Sequence, residues 1–225
     1  MDSVAMLAHI ARALGPLVDK VVFVGGSTVP FYLTDPGAMT ARPTEDVDCV
    51  VEVVSLGKYY EIEAELGRLG FVRAVAAGDP ICRWKYQGLT ADIMPSTSGI
   101  LGFSNKWYSA GCANSLKVAL PGGGAARIFS LPYFLASKIE AFLGRGNGNF
   151  LFSPDMEDII TVLDGAETAA AEIAGAPDDV RVYLAERFRE FLGNERFAES
   201  LEGNLRSPSG TAGRVERIRR ILAAL

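Results

Sequence analysis

Two short apolar runs constrain this chain more than anything else in it. The first, Val21-Val22-Phe23-Val24, ends in Gly25-Gly26-Ser27; the second, Val47-Asp48-Cys49-Val50-Val51, opens behind Asp46. Both are the length and composition of buried strands. On a strand, successive side chains alternate faces, so Asp46 and Asp48 share one face while Val47 points to the other. Two carboxylates held that close repel each other unless a cation lies between them, and an all-oxygen donor set favours Mg²⁺ or Mn²⁺. The glycine turn after the first run exposes backbone N–H groups and a hydroxyl beyond the strand end, a setting that suits a phosphate. The two segments together read as a site for metal and triphosphate.

The remaining sequence sets the frame. A chain of 225 residues, 49% hydrophobic and 22% charged, is long enough for a real core and too apolar for a disordered segment. No apolar run approaches the roughly 18–20 residues that span a bilayer. The first residues carry Asp2 and no early lysine or arginine, unlike a signal peptide, and the expected location is the cytoplasm. Cys49, Cys82 and Cys112 are odd in number and lack metal-ligand spacing, so they read as reduced, buried thiols. The one histidine, His9, reads as a surface or boundary residue, and a net charge of −5 does not advertise nucleic-acid binding.

Periodicity predicts an amphipathic first helix through Val4, Leu7, Ile10, Ala11, Leu14 and Leu17, then a strand over 20–25 and a short helix over 27–34 capped by Ser27. A loop follows to Glu45, then a strand over 46–54 and a helix over 58–69 stopped by Gly70. Strand-like runs occupy 71–75, 81–86 and 89–94, with Gln87-Gly88 as a tight antiparallel hairpin. A further hairpin is expected around Gly122-Gly123-Gly124, whose glycines lack the Lys-Ser/Thr of a phosphate loop. From 131 the pattern becomes helical, over 131–144, 154–164, 166–174, 178–192, 194–204 and 209–224. The expected architecture is α+β: a mixed sheet with flanking helices over 1–130, and a helical domain over 131–225 packed on it.

Gly-Gly-Ser followed by Asp-x-Asp, with a later single acid in Leu89-Thr90-Ala91-Asp92-Ile93, resembles the DNA polymerase β-like nucleotidyltransferase superfamily. The resemblance implies the nucleotidyltransferase fold and a triad of Asp46, Asp48 and Asp92 that ligates two Mg²⁺ or Mn²⁺ ions. It also implies transfer of NMP from an NTP to an acceptor hydroxyl, with Gly25, Gly26 and Ser27 against the nucleotide. The helix carrying Lys138, followed by Arg145, a glycine-rich loop and Ser153-Pro154-Asp155, is similar to the AbiEii/AbiGii-type (MenT-like) nucleotidyltransferase toxins. On that likeness Lys138 reaches the triphosphate and Asp155 orients it or the acceptor. The candidate acceptors are then a tRNA 3′ end or a protein, and a cognate antitoxin joins the candidate partners.

Other readings stay open on the residues themselves. Lys138 could instead snorkel from a stripe of Leu131, Phe134, Leu135, Ile139 and Phe142. Asp155, Glu157 and Asp158 could simply favour a helix N-terminus. Arg42 is either a phosphate contact or a solvated loop cation. Arg214, Arg217, Arg219 and Arg220 form either an RNA-facing helix or a solvated face. At the level of function, the alternatives are an antibiotic-type enzyme with a small-molecule acceptor, or an inert nucleotide-binding module of the same fold.

Overall fold

The strand Val21–Val24 (β1) is buried along its whole length and lies inside a seven-stranded mixed sheet. The computed structural model describes residues 1–53, 55–102, 104–146, 148–205 and 211–225. The other strands are Asp46–Val51 (β2), Val72–Arg73 (β3), Arg83–Tyr86 (β4), Leu89–Pro95 (β5), Ser115–Ala119 (β6) and Ala125–Phe129 (β7), in the order β3-β4-β5-β2-β1-β7-β6. β2 runs antiparallel to β1 and parallel to β5, and β1 runs parallel to β7. The protein is therefore α+β, as the strand-rich first half followed by a run of helices predicts. Val54, where the expected second strand was to end, lies outside the described residues.

Chain contacts divide the molecule into two units, Met1–Thr28 with Pro43–Ser130, and Val29–Arg42 with Leu131–Leu225. The first holds the sheet. Its leading helix Ser3–Ala13 (α1) is capped by Asp2, whose carboxylate accepts from the Ala5 N–H at 2.7 Å. Leu56–Arg68 (α2) links β2 to β3 and is capped by Ser55. It buries Tyr59, Ile62 and Leu66, and the Tyr59 hydroxyl donates to the Ile93 carbonyl at 2.7 Å, fixing α2 against β5. Gly70, at φ +89°, ends the helix, and the Phe71 N–H returns to the Leu66 carbonyl as the expected glycine stop requires.

The hairpin between β4 and β5 turns on Gln87 (φ +47°) and Gly88 (φ +83°), both left-handed as a two-residue turn of this twist demands. It fixes the register Tyr86↔Leu89, Lys85↔Thr90, Trp84↔Ala91 and Arg83↔Asp92. The three glycines 122–124 form the tip of the β6–β7 hairpin. Two short helices, Ser98–Leu101 (α3) and Tyr108–Ala113 (α4), fall where no helix is expected from sequence. Four and six residues are too few to show a period. α4 is held by packing: a Cβ on Gly111 would fall 2.6 Å from the Phe129 ring.

The expected α-helix over 27–34 is a 3₁₀ segment, Gly26–Phe31, with Pro30 inside it. Ser27 does not cap it through its side chain; its hydroxyl turns back toward the Val24 carbonyl at 3.5 Å. Gly25 at φ +74° sharpens the exit from β1, and the Thr28 N–H closes the first turn onto the Gly25 carbonyl.

The second unit comprises Leu131–Arg145 (α5), Pro154–Gly165 (α6), Ala169–Ala174 (α7), Asp178–Leu192 (α8), Glu195–Asn204 (α9) and Thr211–Ala223 (α10). Residues 209–210 of the expected last helix, and Asn147 of the glycine-rich loop, lie outside the described residues. Phe142, Phe150, Phe191 and Phe197 stack edge to face and tilted in its core, with centroids 4.7–5.9 Å apart. Val29–Arg42 belongs to this unit through backbone bonds: the N–H groups of Thr34 and Asp35 both donate to the Gly165 carbonyl. Arg214 joins the same corner, pairing with Asp164 at 2.7 Å and with Asp35 at 2.8 Å. Arg217 donates to the carbonyls of Asp164 and Ala166, satisfying the end of α6. Half of the basic face of α10 is thus committed to its own fold, which fits neither the RNA-facing nor the solvated reading.

Among the described residues, no helix is long and apolar enough to cross a membrane. Cys49, Cys82 and Cys112 are buried and free, as expected.

Candidate metal centre

The acidic site grows out of strand register. β2 and β5 pair in parallel with Asp46 opposite Thr90 and Asp48 opposite Asp92, so all three aspartates stand on one face. One carboxylate oxygen from each lies within 4.8 Å of the others. Among the described residues this is the only group of three acidic, histidine or cysteine ligands that converges in this way. The other face is apolar: Val47, Cys49, Ala91 and Ile93 are fully buried. Burial, reinforced by Asp48 and Asp92, drives the Cys49 thiol well above its ordinary pKa; the same causes push Cys82 up to about 12.

β1 contributes the glycine turn. Val24 is paired with Asp48, and a Cβ built on the next residue, Gly25, would fall 2.1 Å from the Asp48 carboxylate. Only glycine allows this carboxylate to lie against the strand exit, and the left-handed φ requires it independently. Gly25 therefore adjoins the triad through Asp48, and Gly26 and Ser27 follow it in the turn. Ser27 is buried, with its hydroxyl directed at its own backbone.

The residue that the sequence reading misses is Arg83. Its guanidinium donates to both oxygens of Asp92, at 2.9 and 2.8 Å, and to Asp46 at 3.1 Å. The hydrogen bond with Asp92 raises its already high pKa further. Arg83 was legible: the two-residue turn at Gln87-Gly88 places it directly across from Asp92, on the carboxylate face. Three carboxylates with only oxygen donors, beside a glycine that leaves space for one of them, fit a hard divalent cation. Asp46 and Asp48, partly exposed, would hold it from β2, and the buried Asp92 from β5.

The other expected site residues assemble in the second unit. Lys138 on α5 is 5% exposed, and its ammonium lies 3.0 Å from Asp155 and 2.7 Å from Asp158. It does not snorkel. Arg145 forks onto Asp155 with two bonds of 2.9 Å, and Arg42 forks onto Asp158 at 2.9 and 3.1 Å. Burial pushes the Lys138 pKa down, but Asp158 and Asp155 outweigh it and hold the ammonium above its ordinary value. Burial likewise works against Asp155 ionising, yet Arg145 and Lys138 keep its carboxyl below the usual range. Ser153 caps α6 with a 3.4 Å bond from the Met156 N–H, so these carboxylates also meet a helix N-terminus. Arg42 is an ion-pair partner inside its own unit rather than a solvated loop cation, and Asp158, read from sequence only as a helix-start acid, is its partner.

No protein-family model matches the sequence, and no curated protein matches it significantly.

Proposed function

We propose that the protein is a divalent-dependent nucleotidyltransferase of the DNA polymerase β-like fold, moving NMP from an NTP to an acceptor hydroxyl in the cytoplasm. The observation that carries the reading is the convergence of Asp46, Asp48 and Asp92 from two parallel strands, with the Gly25 turn against Asp48. Bound Mg²⁺ or Mn²⁺ supplies charge neutralisation at the attacking and leaving oxygens. Asp46 and Asp48 would hold the metal, and Asp92 would complete its ligand set. Asp92 also takes the proton of the acceptor hydroxyl as that oxygen bonds to the α-phosphorus. The bond from the α-phosphorus to the bridging oxygen breaks, and pyrophosphate leaves with its electron pair. The backbone at Gly25-Gly26 and Ser27 receives phosphate oxygens. On the toxin-like resemblance alone, Lys138 is the candidate triphosphate cation, held within its own unit by Asp155 and Asp158.

The toxin-like arrangement of Lys138 and Asp155 favours a tRNA 3′ end or a protein as acceptor, with an antitoxin as partner; a small molecule is the next candidate. One observation favours a second reading, an inert nucleotide-binding module: Arg83 already neutralises part of the triad.

Incubation with each labelled NTP, Mg²⁺ or Mn²⁺, and total RNA, cell lysate protein or aminoglycosides tests the proposal. Label is expected in one pool, only with divalent metal. Divalent-dependent NTP binding without labelling of any pool would support the inert module. Labelling that persists in EDTA would remove the metal from the reaction.

A further inference from the structure

Arg83 sits where a metal ion would have to compete with it. It uses both oxygens of Asp92 and one of Asp46, so an ion that takes Asp92 as a ligand meets a positive charge already bound there and shares the carboxylate with it. The position is built rather than incidental. The Gln87-Gly88 turn sets the register, and β4 delivers the side chain to the same face as the triad. A guanidinium cannot lose its proton in this setting, so its competition is a fixed feature of the site. Its side chain is 26% exposed, which leaves its head a solvent side to move toward.

Resting on the divalent-site reading above, we propose that Arg83 is the resident counter-cation of the triad. It holds the carboxylates together before metal arrives and makes metal loading depend on nucleotide. A bare ion is repelled by the unit of positive charge already in place and finds part of the triad's charge neutralised. An ion arriving with a triphosphate brings phosphate ligands of its own and an anion that receives the displaced guanidinium. Metal alone then binds weakly, and metal with nucleotide binds well.

The test uses Mn²⁺ alone, with free ion measured by electron paramagnetic resonance, on the full chain and its Arg83→Met, Arg83→Lys and Asp48→Asn variants. Arg83→Met is expected to bind Mn²⁺ about tenfold more tightly than the parent, the order expected for one unit charge removed at a partly exposed site. Its metal-free melting temperature should fall, and Mn²⁺ should raise it more than in the parent. Arg83→Lys keeps a charge but cannot fork onto Asp92, so its Mn²⁺ affinity should lie between the two; this variant decides the matter if Arg83→Met does not fold. If the parent binds Mn²⁺ through Asp48 and neither Arg83 variant binds it more tightly, the counter-cation role is wrong and the divalent site stands. If neither the parent nor any Arg83 variant binds Mn²⁺, the counter-cation role is wrong, and NTP binding with and without Mg²⁺ then decides the divalent site separately.

Discussion

The two units each gather aspartates and basic side chains, and they do so in opposite ways. In the sheet unit, three carboxylates meet on one strand face, Asp46 is about one third exposed, and the basic partner bound to two of them is a single guanidinium. In the helical unit, Asp155 and Asp158 are buried and shared among Lys138, Arg42 and Arg145, with two of the four aspartate–cation links forked. The second cluster gives each buried carboxylate two cationic partners, and burial requires such pairing of ions. The first holds an excess of negative charge at a place that water and ions reach. A fold tolerates such an excess where something else binds.

That contrast can be broken most decisively by neutralising each cluster in turn. Asp48→Asn, and separately Asp46→Asn, should lower transfer by roughly three decades, on the scale of lost electrostatic stabilisation at a preorganised site. Melting temperature should stay within about 2 °C, since a partly exposed carboxylate of an overcharged set contributes little to folding. A large drop in melting temperature with proportionate activity would make the triad structural.

The helical cluster should respond the other way. Asp158→Ala leaves Lys138 and Arg42 without a shared carboxylate in a buried place, a loss of about 3–5 kcal/mol. Thermal unfolding reads it directly. A shift smaller than about 3 °C would mean that the cluster is not the framework of its unit.

Lys138→Met sharpens the comparison because it removes charge while keeping most of the stem. The expected result is a lower melting temperature together with a loss of about two decades in kcat/KM, comparable with removing one preorganised donor. A lowered melting temperature with an unaltered KM for NTP would confine Lys138 to the framework.

The smallest expected effect is in pH. The Lys138 pKa is raised in the folded state, so its contribution is whole below the ordinary lysine value and is lost as pH rises past that value toward the folded one. The Asp155 pKa is lowered, so its contribution is present above the ordinary aspartate value and is lost as pH falls through the folded one. Melting temperature against pH should therefore show a plateau with both an acid and an alkaline limb. In Lys138→Met the alkaline limb should flatten, and an unchanged limb would contradict the assignment.

Much of this was legible locally. The i, i+2 spacing put Asp46 and Asp48 on one face, and the single acid in the apolar run at 89–93 supplied Asp92. The Gln87-Gly88 turn and the Gly70 helix stop also followed from side-chain type alone. What failed was whatever depends on contacts distant in sequence. Val29–Arg42 reads as a helix and loop of the first domain, yet its amides bond to Gly165 and its Asp35 to Arg214. α4 forms because Gly111 admits the Phe129 ring, which no local pattern records. Arg83 lies between these cases: its partner follows from the hairpin register, while its own sequence neighbours carry no sign of a site.

On the proposed function, Asp46, Asp48 and Asp92 form a divalent-dependent nucleotide site. Isothermal titration of each NTP into the protein, with Mg²⁺ and then with EDTA, tests it most directly when repeated on Asp48→Asn. Binding of at least one NTP is expected with Mg²⁺, its loss in EDTA, and its loss in the variant even with metal present. Binding of equal strength in EDTA, in Asp48→Asn, or of no NTP under any condition, would contradict the claim.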